Sequence, residues 1–365
     1  MVKKQLPVDS YLSDRMVDPE FEPVTCENPD RHLPIMPDLL RQDLWKWYKK
    51  MESMTWTAQE SDLSGDRDDW DHKMSAGDRA FYEHIFALFG PADEKIMRNI
   101  AERFTSEFQW TEIVYFYRQQ SQNEGVHSES YAQQIGALFD GERLKKMCNA
   151  VEHMPVVKKL MQWVDDWIGS GESLATRLAA FAFFEGVVFQ GMFMSIQLLK
   201  ERNIMSGVTT NNELIARDEG THCAFACMLF RTYMRNIPSQ DKIHRILSEV
   251  MSLVDEFFRT AIDAAKLAEG VPQDKLSGAP CPVSHITFEK MIRYVRSVAD
   301  IVCVEMGYEP LYNVSNPYPE SSKLALNNVL KTNFFEDIVT QYNANVDYSF
   351  AARGSRCRAV GVDVL

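Results

Sequence analysis

The segment NEGVHSESY, residues 123–131, and the segment RDEGTHCAFA, residues 217–226, share the motif Glu-x-x-His. Each lies inside a long stretch that the spacing of apolar residues predicts to be helical, roughly residues 108–139 and 210–236. Since three residues are close to one helical turn, the Glu and the His of each motif point in the same direction. One such match is close to what chance would give, whereas two matches are informative.

Each of the two motifs is preceded by a further acid at a similar distance in the sequence. Asp93 lies 31 residues before Glu124, and Glu185 lies 34 residues before Glu219, each acid in its own apolar-rich helix. The sequence therefore reads twice as a helix with one acid followed by a helix with Glu-x-x-His. This is the known arrangement of ferritin-like di-iron bundles. The pattern predicts an all-α, ferritin-like di-iron helical bundle with additional helices, whose metal ligands are Asp93, Glu124, His127, Glu185, Glu219 and His222.

These six side chains form a donor set of four carboxylates and two imidazoles. Such a set suits iron or manganese, whereas structural zinc sites prefer thiolates or histidine-rich tetrahedra. Two divalent ions would balance the four negative charges, so the filled site can lie in an apolar core. The same acids without metal would cost several kcal/mol per ion. The alternative, separate surface acids and ordinary core histidines, holds for any one position but is hard to maintain for all six at matched spacings.

Tyr131 is the residue that separates a radical enzyme from a protein that only binds metal. It follows Glu124 by seven residues and His127 by four, so it lies on the same helical face as these ligands. Apolar side chains near the acids by helical spacing would shield it from water: Phe189, Phe193 and Ile215. By periodicity alone, an ordinary core tyrosine is the simpler interpretation.

The most apolar part of the chain, residues 178–199, is long enough to cross a membrane. However, Glu185 lies near its centre, where an isolated acid would be costly in lipid. We therefore predict a helix that is buried on all sides inside a soluble bundle, with no membrane partner.

Charge and cysteine content limit the class of protein further. The net charge of −13 argues against a nucleic-acid partner, because phosphate contacts need clustered lysine and arginine. The first ten residues, MVKKQLPVDS, lack the apolar run of a secretory signal. The seven scattered cysteines are expected to be free thiols in a reducing cytosol.

Composition divides the chain into three segments. Residues 1–33 are predicted to be an extended N-terminal arm, residues 34–340 the ferritin-like helical di-iron domain, and residues 341–365 a flexible C-terminal tail. Thr210 and Glu213 form a capping-box pattern that predicts the start of a helix. The long helices are predicted at residues 79–105, 108–139, 173–203, 210–236, 240–269 and 284–306.

Five segments resemble the signature sequences of the class I ribonucleotide reductase small subunit, of the eukaryotic or viral type. They are WTAQESDL (56–63), NEGVHSESY (123–131), FFEGVVFQGMF (183–193), RDEGTHCAFA (217–226) and TNFFE (332–336). The resemblance spans residues 34–342, and its motifs are highly specific. It implies two metal sites, one held by Asp93, Glu124 and His127 and the other by Glu185, Glu219 and His222.

The resemblance also implies a mechanism. A pair of ferrous ions reduces O₂, and the high-valent intermediate takes an electron and a proton from Tyr131. Tyr131 becomes a stable tyrosyl radical beside an oxo-bridged di-iron centre. The oxidising equivalent then passes to a separate large subunit, which reduces ribonucleotides to deoxyribonucleotides. The relay would run from His127 through Asp218 and Trp56 to Tyr342 in the tail. Asp218 would accept the free ring N–H of His127, the usual arrangement for a metal-bound imidazole. From the residues alone, Asp218 is as readily a solvated helix acid, Trp56 a core aromatic and Tyr342 a surface residue.

The resemblance further implies a homodimer in the cytoplasm, or in the host cytoplasm for a viral protein, with the tail docking on the large subunit.

Two features depart from the family pattern. Glu94 directly follows Asp93, and since a helix places neighbours about 100° apart, only one faces the metal; the family pattern favours Asp93. The tail carries Arg353, Arg356 and Arg358, whereas the eukaryotic tail is acidic. We therefore expect it to dock on its cognate large subunit rather than on a generic one.

Two other functions share this fold. An iron-storage ferroxidase would need neither a buried Tyr131 nor Trp56 nor a tail. A stand-alone di-iron oxygenase would need an open apolar channel to the metals and no tail. The choice of metal also stays open: Tyr131 argues against the manganese–iron variants that have Phe there, but a dimanganese centre would use the same ligands.

Overall fold

The computed structural model describes residues 18, 21–27 and 41–319. This part of the chain is helical and contains no β-strand, so the predicted all-α class is confirmed. Its α-helices are α1 (Gln42–Ser53), α2 (Asp66–His72), α3 (Ala76–Asn99), α4 (Thr105–Glu107), α5 (Thr111–Leu138), α6 (Gly141–Cys148), α7 (Ala150–His153), α8 (Pro155–Gly169), α9 (Leu174–Phe183), α10 (Phe189–Glu201), α11 (Ser206–Tyr233), α12 (Gln240–Ala268) and α13 (Phe288–Met306).

Two of the predicted long helices contain a π-helical turn. The first runs through α3 and α4 with Ile100–Phe104 between them, and the second runs through α9 and α10 with Phe184–Val188 between them. The chain also forms 3-10 turns at Pro23–Thr25, Ala58–Glu60 and Gln273–Gly278. The other four predicted long helices, α5, α11, α12 and α13, begin and end within four residues of their predicted positions.

Local capping explains where α3 begins. The Ser75 hydroxyl oxygen accepts the N–H of Asp78 at 3.0 Å, and the Asp78 carboxylate accepts the N–H of Ser75 at 3.1 Å. This reciprocal pair satisfies two N–H groups that the first turn leaves without an intrahelical partner.

The predicted start of α11 at Thr210 is wrong, because the helix begins a turn earlier and is capped from a distant residue. The buried Asp66 carboxylate accepts the N–H of Gly207 at 3.1 Å and that of Val208 at 2.7 Å. Asp69 accepts the N–H of Met205 at 2.7 Å. A Cβ at Gly207 would overlap the backbone oxygen of Asp62, so the close approach of the segment that precedes α2 requires glycine here.

The long helices pack so that the predicted ligands face one interior. α3 lies along α5, α11 packs against α9, α10 and α5, and the outer helices α12 and α13 cover α3 and α11 respectively. Each of the four ligand-bearing segments therefore contributes one face to a common core, as expected for a bundle of this class.

The apolar stretch is a core helix, as predicted. Leu174–Glu201 is long and apolar enough to cross a membrane by length and composition, but the whole of its most apolar window is buried inside the protein. The predicted free thiols are likewise confirmed for the cysteines in the described ranges: Cys26, Cys148, Cys223, Cys227, Cys281 and Cys303.

Several predictions fall outside the described residues. They are most of the N-terminal arm, the domain boundaries near residues 33 and 340, the TNFFE segment, Tyr342 and the C-terminal tail.

Candidate metal centre

All six predicted ligands lie together in the interior, each with at most 1% of its surface exposed. Their donor atoms form two overlapping groups, within each of which all donor atoms lie within 4.8 Å of one another. The first group is Asp93, Glu124 and His127, and the second is Glu124, Glu185, Glu219 and His222.

Glu124 and Glu219 lie between the two histidines. Glu124 places Oε2 3.2 Å from Nδ1 of His127 and Oε1 3.1 Å from Nδ1 of His222. Glu219 places Oε1 3.0 Å from Nδ1 of His127 and Oε2 3.2 Å from Nδ1 of His222. The geometry thus differs from two separate triads, because two carboxylates face both halves of the centre.

The donor set fits a pair of oxygen-preferring divalent ions. Neither carboxylate oxygen of Asp93 has a hydrogen-bond partner among the described residues, although both are buried. Leaving a buried polar atom without a partner costs about 1–3 kcal/mol, so an unpaired carboxylate in a native core calls for an additional partner. With three further carboxylates and two imidazoles beside it, a cation is the partner that this chemistry favours.

Burial and like charge raise the pKa values of two of the acids. The pKa of Asp93 lies well above its ordinary value because the carboxyl is buried and faces the charge of Glu124. The pKa of Glu185 is raised well above its ordinary value by burial and by the charge of Glu219. These groups hold protons wherever no metal ion compensates them.

In the two histidines and in Glu219, the neighbouring charges outweigh burial, and the pKa shifts favour the charged form. Burial alone would lower the pKa of His127, but Asp218, Glu124 and Glu219 raise it well above its usual value. Burial likewise opposes the charge on His222, yet Glu124 and Glu219 raise its pKa. Burial also acts against charge on Glu219, but its hydrogen bond with Glu185 and the neighbouring histidines hold its pKa well below the usual range.

Asp93 and Glu94 point in different directions, as their helical positions require. Asp93 is fully buried in the cluster, whereas the Glu94 side chain is 62% exposed and lies 3.8 Å from Nζ of Lys95. Of the two candidates, only Asp93 reaches the centre.

Glu185 lies in the π-helical turn Phe184–Val188, a feature that sequence periodicity did not reveal. Such turns insert one extra residue into a helix and often occur at functional sites. A Cβ on the following residue, Gly186, would overlap Sγ of Cys223. Glycine therefore allows α11, which carries Glu219, to lie directly against this turn.

Tyr131 is sealed beside the cluster. Only 3% of it is exposed, and its hydroxyl has no hydrogen-bond partner within the described ranges. Burial, and then the charge of Asp93, raise its pKa well above the usual value, so the phenol is neutral.

Phe89 is the aromatic residue that stacks on Tyr131, and it was not among the pocket residues predicted from the sequence. The two rings lie 4.5 Å apart between centroids and are nearly parallel, at 3°. The predicted pocket residues Phe193 and Phe189 lie behind Phe89, at 5.6 and 6.1 Å from its centroid, and Ile215 is fully buried on α11. Phe89 precedes Asp93 by four residues, so helical spacing could have identified it.

The predicted relay residues near the centre are in contact. Trp56 donates its indole N–H to Oδ2 of Asp218 at 2.7 Å, and Nε2 of His127 lies 3.3 Å from the same oxygen. The Trp56 and His127 rings are stacked at 6.0 Å. The other oxygen of Asp218 accepts two hydrogen bonds from Arg217, at 3.1 and 2.9 Å.

Comparison with known proteins identifies the family. The family model described as "Ribonucleotide reductase, small chain" matches residues 38–317. The ribonucleoside-diphosphate reductase small chain of African swine fever virus is 42% identical over 334 residues, which cover 91% of this chain and 97% of that protein.

Solved structures agree with this relationship. The ribonucleotide reductase Rnr4 homodimer from Saccharomyces cerevisiae is 26% identical, with a TM-score of 0.66 over 85% of this chain and 92% of that one. The dimanganese(II)-NrdF of Streptococcus sanguinis, at 15% identity, shares the fold with a TM-score of 0.65 over 79% of this chain and 95% of that one. This chain belongs to the ribonucleotide reductase small-chain family.

Proposed function

We propose that the chain is the radical-generating small subunit of a ribonucleoside-diphosphate reductase, that its buried cluster binds two iron ions, and that Tyr131 carries the stable radical. The observation that carries this proposal is the neutral phenol of Tyr131, which is sealed under Phe89 and lies on the same helix as Glu124 and His127. A metal-storage protein has no use for such a phenol.

Each ligand has a defined place in this proposal. Asp93 and His127 would bind one ion, Glu185 and His222 the other, and Glu124 and Glu219 would bridge them, since these two carboxylates face both histidines. Bound in the reduced state, iron ions would supply the electrons that activate O₂.

Tyr131 would give up one electron together with its phenolic proton to the oxidant that O₂ and the bound ions supply. The two must leave together because the raised pKa of the phenol keeps it protonated at neutral pH. The stacked ring of Phe89, with Phe193 and Phe189 behind it, excludes water and external reductants from the oxidised ring.

Asp218 orients His127 and links it to Trp56. One carboxylate oxygen lies within hydrogen-bond distance of both the His127 ring and the Trp56 indole, so the three groups form a continuous buried path. An oxidising equivalent would travel along this path and through Tyr342 to a large subunit that holds the ribonucleotide. The tail, residues 341–365, would dock on that subunit.

Family relationships support the remaining details. The yeast relative is a homodimer, and we expect the same assembly here. We expect the protein in the cytoplasm, or in the host cytoplasm for a viral source. The bacterial relative contains manganese, so a dimanganese centre is the second candidate for the metal. The ferroxidase and stand-alone oxygenase alternatives lose support, because the similar curated proteins are reductase small chains.

The docking role of the tail gives a direct test of the subunit assignment. A chain that lacks residues 350–365 should form the same tyrosyl radical after iron loading but should not support ribonucleotide reduction by the cognate large subunit. Radical yield is measured by electron paramagnetic resonance and turnover by deoxyribonucleotide production. A truncated chain that supports full turnover, or a full-length chain that reduces ribonucleotides alone, would contradict the assignment.

A further inference from the structure

We infer that Gln120 is a positioning residue, whose side-chain amide holds one carboxylate from each half of the metal centre. The inference rests on the proposed metal centre and adds to it a residue that is not itself a ligand. Gln120 lies on α5, one helical turn before Glu124, and is fully buried.

The amide donates two hydrogen bonds to two different helical segments. Its nitrogen, Nε2, lies 3.1 Å from Oε1 of Glu124 on the same helix and 3.0 Å from Oε1 of Glu185 in the π-helical turn. An amide nitrogen carries two protons that point in different directions, and the two carboxylates, which must be ionised to bind a metal, then only accept hydrogen bonds. The contacts therefore fix which end of the amide faces the centre, and both protons are used.

The two bonds leave the remaining oxygens in defined places. Oε2 of Glu124 lies 3.2 Å from Nδ1 of His127, and Oε2 of Glu185 lies 3.8 Å from Nδ1 of His222. Each carboxylate is thus held by Gln120 through one oxygen while its other oxygen faces a histidine of the centre. Gln120 sets the rotation of both carboxylates at once.

This role matters most for Glu185. In a π-helical turn the regular α-helical hydrogen bonds are interrupted, and the position of each side chain depends on that local interruption. A fixed donor on the neighbouring helix α5 ties the carboxylate of Glu185 to Glu124 across the centre. Replacing a residue that orients metal ligands in this way typically costs about 10- to 100-fold in metal affinity.

The chain offers a matched control on the same helix. Gln134 is as deeply buried as Gln120, with 1% exposed, and makes no hydrogen bond to the six cluster side chains in the described structure. Gln120→Leu and Gln134→Leu therefore remove the same amide from equally buried positions of one helix, but only the first removes donors to the carboxylates. Gln120→Met keeps the length of the side chain but has neither an amide donor nor a carboxylate that could itself bind the metal.

The experiment is an anaerobic titration of the full-length chain with Co²⁺, which reports both affinity and ligand geometry through its visible spectrum. We expect wild type and Gln134→Leu to bind two ions with the same spectrum. Gln120→Leu and Gln120→Met should bind about 10- to 100-fold more weakly and show a changed spectrum. Circular dichroism checks the helical content of each variant, and Gln120→Met replaces Gln120→Leu in the comparison should the latter fail to fold.

The outcomes separate this inference from the proposed function. Wild-type affinity and spectrum in Gln120→Leu, or an equal loss in Gln134→Leu, would overturn the positioning role while leaving the metal centre in place. Wild-type behaviour in Gln120→Met would show that side-chain size rather than hydrogen bonding matters, and would also overturn it. Failure of wild type itself to bind two ions would overturn the metal centre, and the inference with it.

Discussion

At the scale of single residues, the centre is defined by charges that cannot reach water. Asp93 and Glu185 have raised pKa values, and so do His127 and His222. In protein prepared without metal, these acids and imidazoles therefore both retain protons. In water at neutral pH the acids would be ionised and the imidazoles largely neutral. Protons then balance the negative charge of the cluster, which metal ions would otherwise balance.

This balance predicts that metal loading releases protons. Carboxylates and imidazoles must be deprotonated to bind a metal, so each proton held by a raised pKa has to leave. Lower pH keeps those protons on the ligands, and metal affinity should therefore fall as pH falls. Anaerobic addition of Fe²⁺ in weak buffer with a pH-indicator dye measures the release. Loading without proton release, or an affinity that rises on acidification, would contradict the charge balance.

Spacing identified the six cluster residues, with the family pattern deciding between Asp93 and Glu94, because each acid or histidine must face the interior of its own helix. It did not identify Gln120, whose role depends on how α5 lies relative to the π-helical turn. Periodicity within one helix gives the direction of a side chain but not its neighbour across a helix pair. Phe89 is an intermediate case: its direction was predictable from Asp93, but its stacking on Tyr131 was not.

At the scale of the elements, two features escaped prediction for the same physical reason. The π-helical turn at Phe184–Val188 breaks the 3.6-residue period only locally, and the surrounding apolar residues hide the break. The start of α11 is fixed by Asp66, 141 residues before Gly207, whereas the capping-box rule considers only neighbours in sequence. Contacts across the fold therefore override local patterns at both places.

The distant cap predicts a specific loss of stability. Asp66→Ala removes the acceptor of the Gly207 and Val208 N–H groups and should lower the free energy of unfolding by about 1–3 kcal/mol. Asp68→Ala is the matched control, since Asp68 is an acid in the first turn of the same helix but is 72% exposed. It should change the free energy of unfolding by less than about 0.5 kcal/mol. Urea unfolding of both variants measures the difference, and equal losses would show that Asp66 does not cap α11.

At the scale of the whole molecule, the bundle places reactive groups from distant parts of the chain in one dry interior. Trp56 and Asp218 are 162 residues apart in sequence and yet share a buried hydrogen bond beside His127. The fold class and the convergence of the six cluster residues could be predicted from sequence because two acid helices and two Glu-x-x-His helices have few ways to bury their charges together. The approach of Trp56 to Asp218 was an implication of the family resemblance. The central claim is that this interior serves one phenol, Tyr131.

Electron paramagnetic resonance after anaerobic iron loading and exposure to O₂ tests that claim most directly. Wild type should show a stable tyrosyl signal, and Tyr131→Phe should not. Tyr117→Phe is the control, because Tyr117 is equally buried on α5, also has a hydroxyl without a hydrogen-bond partner among the described residues, and precedes Glu124 by seven residues as Tyr131 follows it by seven. The account predicts that Tyr117→Phe keeps the wild-type signal. A stable tyrosyl signal that survives in Tyr131→Phe would contradict it.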